Sequence, residues 1–242
     1  MNSDLVPTLE RENELIENIN DVLSDVEAKK VNEARLVLVS KTKPASDIVA
    51  SLKTGQLHFG ENYTQELVEK AKVLPKEIKW HYIGRLQSNK CKTLAEIPNL
   101  WAVETIDGKS KAKKMNDAWA AAGNKNKLNI YVQVNTSEEP NKGGVETVDL
   151  EETLAYIMKE CHNLNLLGIM TIGSVENSNV VPNPDFLKMG ELRKNNEAKL
   201  GTKLELSMGM TQDFEHALEL GSNNVRVGQK IFGKRAPKNV PN

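Results

Sequence analysis

A lysine closes an apolar run in Leu36-Val37-Leu38-Val39-Ser40-Lys41-Thr42-Lys43-Pro44. An amine attacks a carbonyl only when unprotonated, and burial favours that form, so a lysine at the end of a buried strand is a candidate nucleophile. Other chemistry-bearing residues also end or interrupt apolar runs. They are Asn62 after Gly60-Glu61, His81 before Gly84-Arg85, Glu104-Thr105, Asn135, and Thr171 before Gly173. Ser207-Met208-Gly209-Met210 and Arg226 before Gly228 complete the set. Arg226 lies between Val225 and Val227; its guanidinium stays charged and needs acceptors if it points inward. Each residue also has an ordinary structural reading. Lys41 is then the first solvated residue of a loop, Asn62 a helix cap, His81 a hydrogen-bonded core residue, and Gly209 and Gly228 turn residues. The functional reading requires a fold that brings them together.

The elements between these residues supply such a fold. Apolar residues at Leu5, Leu9, Leu15, Ile16, Ile19, Val22, Leu23 and Val26 recur at three- and four-residue steps, which predicts an amphipathic helix over the first thirty residues. Short β-branched runs then alternate with helical patterns. The runs are LVLV, QLHFG, IKWHYIG, LWAVET, LNIYVQVN, LNLLGIMTIG, LELSMG and NVRVG. Eight such units in 242 residues predict a parallel sheet closed into a single (β/α)8 TIM barrel, with an open doubly wound sheet as the alternative. No Pro-, Gly- or Ser-rich linker divides the chain, so residues 1–242 read as one domain with helix 1–30 packed on the barrel. In such a barrel the C-terminal strand ends share one rim, where all the residues above converge.

Composition narrows the functions. Charged residues make up 27% and hydrophobic residues 39%, as in a globular chain, and 32 basic residues against 33 acidic give no electrostatic footprint for nucleic acid or an anionic membrane. Two cysteines and no signal-like or membrane-length apolar segment point to a reducing compartment, the cytoplasm, with the mitochondrion left open. The four histidines lack metal-ligand spacing, so no metal site is expected. Gly228-Gln229-Lys230-Ile231-Phe232-Gly233-Lys234-Arg235 departs from a P-loop where Arg235 replaces the magnesium-holding hydroxyl, and Ile231 and Phe232 read as core, so nucleotide hydrolysis is rejected.

The blocks SKTKP, FGENYTQELVEK, WHYIGRLQSNK, MTIG, LSMGMTQDFEHAL and VRVGQKIFGKR, in this order from Leu36 to Arg235, closely resemble the pyridoxal phosphate homeostasis proteins. The resemblance implies a barrel of the alanine racemase N-terminal domain type that binds pyridoxal 5'-phosphate through a lysine Schiff base. Lys41 matches that lysine, with Lys43 further out. Ser207, Gly209 and Gly228 match phosphate-holding turns, Arg226 matches an arginine near the pyridine nitrogen, and Asn62 and His81 match pocket positions. Gln229 departs from the family pattern, which has a hydroxyl residue there; Thr211 is the nearby hydroxyl that would compensate.

The related racemases add a β-rich C-terminal domain, and a tyrosine from a partner's copy serves as the second base. This chain stops at Asn242, so the resemblance implies the barrel without that domain, and a monomer. Two-sided proton transfer needs a base on each face, and only Lys41 is a clear candidate. The expected function is therefore intracellular vitamin B6 homeostasis, in which the protein holds the cofactor and delivers it to pyridoxal-phosphate-dependent apoenzymes. The alternatives are an amino-acid racemase or other enzyme using the same cofactor, and a Schiff-base aldolase acting through Lys41.

Overall fold

A computed structural model describes residues 5–139 and 142–234. The chain begins with α1 (Leu9–Lys29), and β1 (Arg35–Val39) and α2 (Ala45–Leu52) follow. Then come β2 (His58–Glu61), α3 (Thr64–Val73), β3 (Lys79–Tyr82), α4 (Cys91–Ala95), β4 (Leu100–Ile106) and α5 (Lys109–Ala121). The second half carries β5 (Leu128–Gln133), α6 (Leu150–Glu160), β6 (Leu164–Met170), α7 (Pro184–Leu200), β7 (Glu205–Ser207), α8 (Phe214–Glu219), β8 (Asn224–Val227) and α9 (Gln229–Phe232). The strands form a closed barrel in sequence order, with β8 returning to pair in parallel with β1. The (β/α)8 expectation holds.

Period-two alternation sorts the side chains. Leu36, Leu38, Phe59, Trp80, Val103, Ile130, Val132, Leu206, Val225 and Val227 join the helices in one hydrophobic cluster outside the sheet. The other face turns polar residues into the barrel. There Gly60 pairs with His81, Val37 with Arg226 and Ser207 with Asn224.

The first helix starts later than its apolar spacing suggests. Thr8 caps it, its Oγ accepting from the Arg11 N–H at 3.2 Å, so regular helix begins at Leu9. Leu15, Ile19, Val22 and Val26 form the buried stripe, and the helix packs on α2, α8 and α9. Helix α9 was not foreseen from sequence; its four residues are too few to show a period. Ile231 and Phe232 are buried, as expected of core residues.

Candidate functional site

Lys41 leaves β1 in a turn closed by the Lys43 N–H donating to the Ser40 carbonyl at 3.1 Å. Lys41 and Lys43 both line a cavity of about 580 Å3 at the C-terminal rim, within the range of about 300–1,000 Å3 usual for small-molecule sites. Val39 and Ile83 form part of its wall, as do Met210, Thr211, Asp213, Arg226, Gly228 and Gln229. Of the residues singled out from sequence, Lys41, Arg226, Gly228 and Gln229 therefore meet at one cavity.

On the β7–β8 side, the backbone N–H groups of Gly228 and Gln229 both donate to the Thr211 hydroxyl, at 3.3 and 3.2 Å. Two N–H groups converging on one oxygen at a helix start are what an anionic oxygen acceptor requires. The Gln229 side chain is exposed. A Cβ on Gly228 would approach the Val39 carbonyl to 3.1 Å, which keeps this wall bare. Gly209 has φ +97°, and a Cβ there would lie 2.6 Å from that of Ala217, so only glycine fits the turn after β7.

Beneath the cavity the barrel interior is a connected polar column. Arg226 is 4% exposed and donates from Nη1 to Ser207 Oγ at 2.5 Å and from Nη2 to the Thr171 carbonyl at 2.8 Å. Ser207 Oγ donates to Glu104 Oε2 at 2.6 Å, and Asn224 Nδ2 reaches both Glu104 oxygens. His81 Nδ1 lies 2.5 Å from Glu104 Oε1, and His81 Nε2 lies 2.8 Å from His58 Nδ1. With Glu104 ionised, Nδ1 of His81 carries the donated proton, so its Nε2 accepts from His58.

Charges follow from this arrangement. Burial works to raise the Glu104 carboxyl, but the His81 hydrogen bond, Arg226 and Ser207 outweigh it and hold the group below its usual value. Burial pushes His81 down. Burial, the His81 ring and the cations Arg35 and Lys79 push His58 down to about 2, so both rings are neutral. Burial also lowers the Arg226 guanidinium, opposed by Glu104 and Asp213, yet an arginine stays charged at neutral pH.

Sequence reasoning grouped Ser207 with the phosphate turns and His81 with the pocket wall. Both side chains are fully buried in the column and absent from the cavity lining. Asn62 is half-buried at the end of β2; it too is absent from the lining, and its Oδ1 has no hydrogen-bond partner among the described residues. Glu104 was singled out at a strand end without a role, and Asn224 was missed. The signal for Glu104 was a carboxylate inside the run Val103–Ile106, and the signal for both was the need of an inward Arg226 for acceptors. At the opposite end a floor closes the column. There Arg35 lies 3.0 Å from Glu205 and 4.6 Å over the Trp101 ring, and Tyr131 donates to Glu205. Among the described residues, no cluster of three or more His, Cys, Asp or Glu is disposed to hold a metal, and no helix is long and apolar enough to cross a membrane.

A closed eight-stranded barrel with a lysine emerging from its first strand defines a class. Residues 12–236 match the family described as alanine racemase, N-terminal domain. A pyridoxal phosphate homeostasis protein of Schizosaccharomyces pombe is 46% identical over 201 residues, covering 83% of this chain and 84% of its own. One of Caenorhabditis elegans is 44% identical over 233 residues, covering 93% and 95%. The solved structure of PipY from Synechococcus elongatus PCC7942 with PLP bound superposes with a TM-score of 0.78 at 25% identity, covering 90% of this chain and all of that one. The chain belongs to the pyridoxal phosphate homeostasis protein family.

Proposed function

We propose that this protein binds pyridoxal 5'-phosphate for intracellular vitamin B6 homeostasis, holding it on Lys41 as a Schiff base and giving it up to apoenzymes. The carrying observation is that Lys41, Arg226 and the Gly228–Gln229 N–H pair border one cavity. The PLP-bound relative of the same fold supports the same ligand.

The residues divide the work. The Lys41 amine condenses with the aldehyde, and one water leaves. The N–H groups of Gly228 and Gln229 and the Thr211 hydroxyl take the phosphate, so Thr211 fills the place that the exposed Gln229 side chain leaves open. The turn at Gly209 aims this loop, while the Ser207 hydroxyl, already engaged by Glu104, holds Arg226 from below. Arg226, a fixed cation in the cavity wall, would lie toward the ring nitrogen and disfavour its protonation, which would weaken the electron-sink chemistry that the cofactor supplies when bound. His81 acts through Glu104 on Arg226, and Asn62 keeps its buried Oδ1 outside the cavity lining. The same reading makes the protein a cytoplasmic monomer.

Lys41→Ala tests it. Wild-type protein incubated with pyridoxal 5'-phosphate turns yellow, and borohydride fixes the adduct on Lys41. The variant keeps its fold by circular dichroism and gains neither the colour nor the adduct. A wild-type protein that stays colourless at saturating cofactor would remove the reading.

A further inference from the structure

Two lysines border the cavity, two residues apart, and the fold treats them differently. The Lys43 ammonium donates to the carbonyls of Phe232 and Lys234, at 2.8 and 3.1 Å, which holds it at the α9 side of the rim. Lys41 is also held through its backbone. Its neighbour Thr42 has φ +63°, a left-handed conformation that a β-branched residue adopts only when something enforces it. The enforcing contact is visible: the Thr42 N–H donates to Glu66 Oε1 at 2.7 Å. Glu66 is in turn fixed by Lys70, whose Nζ reaches it at 2.6 Å. The same ammonium donates to Glu61 Oε1 at 2.7 Å and to the Ser40 carbonyl at 2.8 Å, and Ser40 Oγ donates to Glu61 at 2.6 Å. Lys70 is 6% exposed, and Ser40 and Glu61 are fully buried. One ammonium thus binds the residue before Lys41 directly and the residue after it through Glu66.

We propose that Lys70, Glu61 and Glu66 form a positioning clamp that selects Lys41 over Lys43 as the lysine meeting the aldehyde. The clamp's side chains lie outside the barrel, between β1, β2 and α3, and are absent from the cavity lining, which Glu61 meets through its carbonyl, accepting from the Ile83 N–H at 2.9 Å. It acts by fixing the turn from which Lys41 projects. An ammonium buried between two carboxyl groups is costly to build, and here the hydrogen bonds of Lys70, Glu61 and Glu66 converge on the two residues that flank Lys41. Burial raises the Glu61 carboxyl to about 7, with Lys70 and Ser40 opposing the shift. The inference rests on the Schiff-base reading above. In either adduct the C=N bond replaces the aldehyde C=O with release of one water, and borohydride then adds hydride to carbon while nitrogen takes a proton.

The test is the partition of the reduced adduct between Lys41 and Lys43, read by peptide mass spectrometry. The release rate of pyridoxal 5'-phosphate to excess scavenger and the thermal midpoint of each variant are read alongside. Wild type carries the adduct on Lys41. Glu66→Ala, at a partly exposed position, removes the acceptor for Thr42; release is expected to quicken about tenfold, the scale of one charge-assisted hydrogen bond, and adduct to appear on Lys43. Thr42→Gly in the same background restores the Lys41 preference, because glycine enters the left-handed turn unaided. Lys70→Met behaves as Glu66→Ala does, and Glu66→Gln, which keeps an acceptor oxygen, retains most of the preference. Unchanged partition and release in Glu66→Ala, or a loss that Thr42→Gly does not restore, overturns the clamp. Absence of any Lys41 adduct in wild type overturns the underlying reading instead.

Discussion

At the scale of single residues, the interior column shows how an arginine is kept inside a barrel. Arg226 is answered by a hydroxyl, a carbonyl and the Glu104 carboxylate, and Glu104 by His81, Ser207 and Asn224. Two neutral histidines continue the column toward the floor, and this has a pH consequence. Native His58 titrates at about 2, against 6.5 for the ordinary side chain. Between those values the unfolded chain binds a proton that the native one refuses, so His58 withdraws stability as pH falls below 6.5. Glu61 works the other way. Its native carboxyl titrates at about 7 against 4.5, so the native state holds an extra proton that is lost as pH rises through that window. The windows overlap, so the expected outcome is a difference between proteins. Between about pH 7.5 and about pH 5.5, His58→Gln loses less unfolding free energy than wild type, by urea titration. Equal losses would mean that the native ring takes up its proton in the same range as the unfolded one.

At the scale of elements, α1 joins the barrel to the rim of the site. Its buried stripe packs on the helices that flank the β8–β1 closure, Asn18 donates to the Ile231 carbonyl at 3.0 Å, and Arg11 donates to the Phe232 carbonyl at 3.0 Å. The helix therefore fixes α9, whose first residue, Gln229, borders the cavity. Ile19 is fully buried; Ile19→Ala is expected to cost about 3 kcal/mol through lost burial and the space left behind, measured by urea unfolding. A cost under about 1 kcal/mol would show that α1 is only loosely held. The strands were legible because short β-branched runs bounded by glycine have few other uses, and the rim followed from their alternation with helices. Lys41, Arg226 and Gly228 were legible as strand-end residues once that rim was assigned. What stayed hidden depends on register and backbone angles. His58 and His81 meet only because Gly60 pairs with His81, which no spacing along the chain encodes. The left-handed turn at Thr42 is invisible in a threonine, where a glycine would have advertised it. Ser207 looked like a rim residue because it ends its strand, but β7 is short and its last side chain points down into the column.

At the scale of the whole molecule, the barrel separates two kinds of cohesion: an apolar cluster between sheet and helices, and a polar column within. The ligand proposed here would bind the native state alone and so stabilise it by mass action. Pyridoxal 5'-phosphate at about 100 times its Kd corresponds to about 2.7 kcal/mol and, for a chain of this size, a rise in Tm of about 5–10 °C. Differential scanning fluorimetry checks this, and Lys41→Ala should show much less of the rise. An equal rise in both proteins would place the stabilising contact elsewhere than on Lys41.

The fully buried column of Ser207, Glu104, Asn224 and His81 beneath the cavity, with Arg35, Trp101, Tyr131 and Glu205 at its far end, turns the cavity into a cul-de-sac. Whatever enters by the rim must back out through the same doorway. A recipient receiving cargo directly would have to dock over that doorway while it is occupied, and fresh cargo would have to wait until the recipient departs. Under the proposed carrier role, loading and hand-off would then be mutually exclusive events at a single threshold, never a flow from one end of the barrel to the other.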